Sequence, residues 1–238
     1  MYVIVLLLYI CPKFEYVEQL QIHFSINPEL YTKNPESTDL GKKIVENSIL
    51  LIDELGFEGF TFKKLGERIG SNESSVYRYF ESKHALLIYL VNWYWSWMEY
   101  ILVFQTTNIQ DPKVKLLKAI EVLTDKPQTD ASFSFINESI LYRIVIAEFS
   151  KAYHTKEVDK ENEKGYYKTY KRVVQRVSDM VLEVNPTFEF PHMLISTVIE
   201  GAHHQRYFSE HLPSLTNVEE GKNNILRFYQ HLVITAIL

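Results

Sequence analysis

The chain has 238 residues, 46% of them apolar and 23% charged, enough to bury a sizeable core and ordinary for a soluble globular protein. Its net charge of −5 argues against a protein that coats nucleic acid without specificity. A single cysteine, Cys11, rules out an intrachain disulfide framework and suits a reducing, cytoplasmic setting, while only 8 Gly and 8 Pro favour long helices over a turn-rich β fold.

Residues 1–11, MYVIVLLLYIC, are apolar but far short of the ~20 residues a spanning helix needs, and no basic region precedes them as in a signal peptide. No membrane partner is expected. Residues 1–19 read as an extension from a start codon set too early, with translation beginning near Leu20; the alternatives are a buried or interfacial N-terminal segment and a membrane or export role. Residues 21–38 contain Asn27-Pro28 and Asn34-Pro35 and read as an irregular arm. With Lys33 as its one cation, this arm is expected to pack on the protein as a strap. The other reading is a minor-groove arm.

A first helix is expected from Thr38 or Asp39 to Leu55. Its inner stripe is Ile44, Val45, Ser48, Ile52 and Leu55, and Gly56 stops it. Phe62, Leu65 and Ile69 fall at i, i+3 and i+7 on a second helix, with Thr61 as N-cap and Gly70 as C-terminal stop. Asn72 caps a third, whose inward residues are Val76, Tyr79 and Phe80. Ser82 caps the next, with Leu86, Leu87 and Leu90 inward. Two helices joined by so short a turn form a helix-turn-helix, whose second helix can enter a DNA major groove. Residues 38–87 hold seven Lys or Arg and eight Asp or Glu, so DNA binding would require the cations to gather on one face.

The pattern stays helical to the end. Helices are expected over Lys83 to about Phe104, Asp111-Pro112 to about Leu123, Phe135 to Ala152, Lys156 to Val184, Pro191 to about Glu210, and Val218 to Ile237, with a polar turn at 126–134. No stretch alternates with period two, and no repeat of 20–50 residues appears. The fold class is all-α: an N-terminal three-helix helix-turn-helix domain (38–84) follows the extension and arm (1–37). It joins a C-terminal helical ligand-binding and dimerisation domain (85–238).

The run FTFKKLGERIGSNESSVYRYFESKHALL, with the helix before it, resembles the N-terminal DNA-binding domain of the TetR family of bacterial transcriptional regulators. The resemblance spans Asp39 to Leu87, and its specific part is Val76-Tyr77-x-Tyr79-Phe80-x-Ser82-Lys83-x-x-Leu86-Leu87. It implies a dimeric DNA-binding regulator, in the first instance a repressor, that holds a palindromic operator and is released by a small molecule. By the same resemblance, Glu73, Ser74, Ser75 and Arg78 lie where the family touches base edges. Tyr77 and Tyr79 fall where hydroxyls reach phosphates, and Thr61 and Lys83 where the backbone is clamped. Glu73 is unusual there; it accepts from cytosine N4, caps the helix or pairs with a cation. Gly66 replaces the family's more usual Ala where the two helices cross.

No residue beyond Leu87 is named by the resemblance. Trp93, Trp97 and Tyr100 form one stripe, either core or the wall of a pocket for an apolar or aromatic effector, and Tyr142, Tyr170 and Tyr207 are further candidates. His203-His204, adjacent and ~100° apart on a helix, make a poor chelate, so no metal is expected. No cofactor is expected, and without a phosphate loop or nucleophile elbow the chain does not read as an enzyme. Ile195, Val198, Ile199, Ala202 and Phe208, with Ile225, Phe228, Leu232 and Val233, are the expected homodimer surface. The alternative function is a helical interaction protein that keeps the helix-turn-helix only as structure.

Overall fold

The computed structural model describes residues 23–126, 135–219 and 221–238. Cys11, the expectations for residues 1–19 and the polar turn at 127–134 lie outside these residues. The described chain is all-α, with ten α-helices, three short 3-10 turns and no strand.

The arm packs as a strap. Asn27 and Asn34 each cap a 3-10 turn, at Pro28–Leu30 and Pro35–Ser37, by accepting from the amides of Glu29 and Glu36. Ile26 and Leu30 are buried, and the Thr32 amide donates to the Tyr79 carbonyl at 2.9 Å. This ties the strap to the helix-turn-helix.

Helix α1 (Asp39–Gly59) starts at Thr38, whose hydroxyl accepts from the Gly41 amide at 3.0 Å. Gly56, at φ 69° and ψ 162°, breaks it before a last turn. Ile44, Val45, Ser48 and Ile52 are buried as the stripe requires, but Leu55 is 44% exposed. The kink at Gly56 turns Phe57 and Phe60 into the core in its place. Helices α2 (Phe62–Ile69) and α3 (Glu73–Tyr77) follow, and Gly70 ends α2 at φ 68°, ψ 35°.

Helix α4 (Lys83–Thr106), capped by Ser82, is the axis of the molecule. Every residue from Leu86 to Met98 is buried, so it has no solvent face along that length. Helices α5 (Pro112–Thr124), α6 (Glu138–Tyr153), α8 (Lys168–Val184) and α9 (Pro191–His211) pack around it or one another, with α10 (Asn224–Ile237) against α5 and α9.

Two expected helices are corrected. The single helix over 156–184 is α7 (Val158–Glu163) and α8, separated by Gly165 at φ 78°. The break lets Glu161, buried on α7, meet His84 at 2.8 Å and the hydroxyl of Tyr167. The last helix begins at Asn224 instead of Val218, because the chain first makes a 3-10 turn at Pro213–Leu215 and then Asn223 caps α10.

The expected dimer surface is also corrected. Ile195, Val198, Ile199, Ala202, Ile225 and Val233 are buried within this chain, since α9 and α10 use those faces to cover α5, α6 and α8. Phe208 and Leu232 are half-buried, and Phe228 is exposed. The exposed apolar residues on this side are Phe190, Met193, Leu212, Leu215, Phe228 and Leu238. No helix among the described residues is long and apolar enough to cross a membrane.

Candidate nucleic-acid interface

Helix α3 owes its position to three local devices. Asn72 accepts from the Ser75 amide at 2.9 Å, which fixes the first turn. Val76 and Phe80 are fully buried and pin one side of the helix to the core. Gly66 of α2 lies under the turn: a Cβ there would stand 3.0 Å from the Asn72 carbonyl carbon and 3.1 Å from the Glu73 amide. The close crossing is therefore one that glycine permits without adjustment.

The eight expected DNA contacts divide into two groups. Glu73, Ser74, Tyr77 and Arg78 are exposed on the outer side of α3, and Thr61 is exposed at the start of α2. Tyr77 leans edge-on against Phe62 at 4.9 Å with its ring 50% exposed. Arg78 spends one donor on the Ser75 hydroxyl at 3.1 Å, leaving most of its five N–H groups for a ligand. Thr61 uses its hydroxyl to accept from the Lys64 amide.

The other three are engaged inside the fold. Ser75 is buried, donating to Asn72 Oδ1 at 2.8 Å, so it completes the cap. Tyr79 is only 3% exposed, and its hydroxyl lies 2.7 Å from that of Thr38. It joins the strap to the module instead of facing outward. The Lys83 ammonium donates to the Phe57 carbonyl at 3.1 Å and sits 4.7 Å from the Phe57 ring centre.

Other cations are committed as well. Lys64 donates to the Gly59 carbonyl, and Arg68 pairs with Glu54 at 2.6 Å and reaches Asn47. The acids are screened from the other side. Arg143 of α6 grips Asp53 through two hydrogen bonds, at 3.0 and 2.6 Å, and Lys151 meets Glu58 at 3.3 Å. Glu148 accepts from the Phe57 amide just past the kink. These α6 residues were not legible in advance; they lie about 90 positions from their partners and belong to no motif.

Residues 44–90 match the profile of bacterial regulatory proteins of the tetR family. The N-terminal module is of the TetR family. No curated protein matches the chain. Among solved structures, the superantigen PfiT superposes with a TM-score of 0.54 at 12% identity, covering 85% of this chain and 97% of that one. A candidate TetR-family transcriptional regulator from Mesorhizobium loti MAFF303099 superposes at 0.51 and 16% identity, over 86% and 97% of the two chains. The fatty acid degradation regulator FadR from Bacillus halodurans gives 0.51 and 13%, over 80% and 92%. At such identities the likeness is one of fold, and it extends well beyond the TetR-family module.

Behind that module, the expected aromatic wall is divided. Trp93 and Trp97 are buried and stack on each other at 6.5 Å, because α4 is enclosed on all sides. They are core, and Tyr170 packs with them through Trp95 at 4.6 Å while its hydroxyl donates to Glu200. Tyr100 stacks on Phe104 near the strap residue Phe24. Only Tyr142 and Tyr207 share an opening, a cleft of about 430 Å³ between α1, α6 and the end of α9. His203, buried among Tyr94, Trp95, Tyr142 and Phe149, is pushed down to about 4 by burial and then by His204, so it stays neutral. His204 is exposed. Among the described residues no group of three or more His, Cys, Asp or Glu could hold a metal ion.

Proposed function

We propose that the protein is a dimeric transcriptional regulator, a repressor in the first instance, that reads a palindromic operator through α3 and is released by a small apolar or aromatic effector. One observation carries the reading. Within a TetR-family module, α3 turns Glu73, Ser74, Tyr77 and Arg78 outward while Val76 and Phe80 hold it to the core. Arg78 is the guanine reader and Ser74 the adaptable one; Tyr77 and Lys63, both exposed, lie where phosphates would run. Phe190, just before α9, Met193 on α9 and Phe228 on α10 are exposed apolar residues available to a two-fold pairing, which would set two recognition helices about 34–36 Å apart.

The test is footprinting of the purified chain on the DNA flanking its own gene, with a salt series. The expected result is a protected palindrome that weakens with salt. Arg78→Ala should lower affinity about tenfold or more, most steeply at one base position. Protection unchanged by Arg78→Ala would remove that residue from the interface.

A second reading, a helical interaction protein that keeps the helix-turn-helix as structure, is favoured by the cations spent internally, Lys64, Arg68 and Lys83. It predicts no protection at any salt concentration, with dimerisation intact.

A further inference from the structure

The cleft beside Tyr142 has an unusual electrostatic account. Three carboxylates line it, and each already has a partner: Asp53 has Arg143, Glu148 has Lys151 and the Phe57 amide, and Glu210 has Lys126 at 3.5 Å. The wall's remaining cation, Arg206 of α9, is poorly matched. Its side chain is 12% exposed, and its nearest described carboxylate, Asp125, stands at 3.6 Å. That same Asp125 oxygen already accepts from Asn223 at 2.6 Å. One guanidinium nitrogen, Nη2, also reaches the Thr124 carbonyl at 3.3 Å, while Nε is buried with no acceptor among the described residues. A buried charge-bearing donor without an acceptor is costly, and it is the kind of group a ligand anion satisfies.

The neighbours give the ligand its shape. Tyr142 lines the same wall as Arg206, whose charge partly offsets the rise that burial imposes on its phenol. Ile52, Ile144, Ile146 and Ala147 with the Tyr142 and Tyr207 rings supply apolar walls. The volume is within the range of small-molecule sites.

We propose that this cleft binds a small aromatic monocarboxylate, its carboxylate taken by the Arg206 guanidinium and the Tyr142 hydroxyl and its ring held against Tyr207 and the isoleucines. The occupant would touch α1 at Ile52 and Gly56 as well as α6 and α9, so it would bridge the TetR-family module and the larger helical unit. Binding is independent of DNA; only its regulatory consequence rests on the function proposed above.

The test is calorimetry of the full chain with 2-naphthoate, and with 2-naphthamide as the neutral counterpart. The acid is expected to bind about 10- to 100-fold more tightly than the amide, the range for a charge-assisted hydrogen bond. Arg206→Gln should lose a similar factor, Tyr142→Phe a few-fold to about tenfold, and Arg172→Gln, on the far side at α8, nothing. If Arg206→Gln does not fold, Tyr142→Phe decides. No heat with naphthoate at millimolar concentration, equal binding of the amide, or wild-type binding by the decisive variant would overturn the site. If naphthoate binds as expected but leaves the operator footprint unchanged, the site stands and its regulatory role falls. Absence of any footprint without ligand would instead count against the function.

Discussion

Gly41 offers a test in which two physical effects predict opposite signs. It lies in the first turn of α1, where replacing glycine with alanine should by propensity alone gain up to about 1 kcal/mol. The strap reverses that expectation. An alanine Cβ would stand 2.2 Å from the Pro35 carbonyl oxygen and 2.7 Å from its Cα. Both are backbone atoms of a 3-10 turn held by the Asn34 cap and by the Ser37 hydroxyl on the Asn34 carbonyl. No rotamer change relieves the overlap, so the strap must lift by roughly an ångström, at an overpacking cost of about 1–3 kcal/mol. Gly41→Ala is therefore expected to destabilise the chain by about 1–2 kcal/mol. Urea unfolding followed by helical circular dichroism measures this as a lower midpoint at unchanged slope. A midpoint equal to or above that of the parent protein would refute the close approach of strap and helix.

Three further outcomes follow from the same packing. Asn72→Ala removes the acceptor shared by the Ser75 amide and the hydroxyls of Ser74 and Ser75, and should cost about 0.5–2 kcal/mol in urea unfolding. Tyr79→Phe should lower stability by about 1 kcal/mol through the lost Thr38 contact while leaving the salt slope of DNA binding unchanged; a slope reduced by one would return Tyr79 to the phosphates. Burial by itself would raise the Glu99 carboxyl, but hydrogen bonds from Arg172 and Arg176 hold it below the usual carboxylate value. A lowered folded value means stability that is present above the unfolded pKa and lost as pH falls through the folded one. Glu99→Gln should thus be less stable than the parent at neutral pH, the two should converge on acidification, and a gap that stays constant with pH would contradict the pairing.

Features set by a few neighbouring residues were legible in the sequence. Thr38, Thr61, Asn72, Ser82 and Asp111 all cap where the pattern puts them, because capping needs only a side-chain oxygen two or three residues from a free amide. Gly56 and Gly70 likewise announced their positive φ angles. Helical periodicity failed at Gly165, where the apolar pattern runs across a break that only the tertiary meeting of Glu161 with His84 explains. The tryptophan run signalled burial, since it is apolar all round, yet could not say that protein fills both sides. Tyr79 and Lys83 fitted a surface motif by type, and the strap and the Gly56 kink drew them inward. The α6 contacts and the Arg206 cleft are products of distant chain meetings, for which no local signal exists.

The pairs that α6 makes with α1 bear on whether the DNA module is electrically self-sufficient. On its own, the stretch 38–87 carries seven cations against eight acids. In the folded chain Asp53 and Glu58 are answered by Arg143 and Lys151, borrowed from the other half. Seven and two borrowed cations, set against the same eight acids and Glu148, which α6 brings with Lys151, turn a deficit of one into balance. Both borrowed groups lie within a Debye length of the acids they offset, about 8 Å at physiological salt, so a polyanion would meet the neutralised pairs instead of bare carboxylates. Severing the module from its helical partner would bare Asp53 and Glu58 and return its balance of charge to negative.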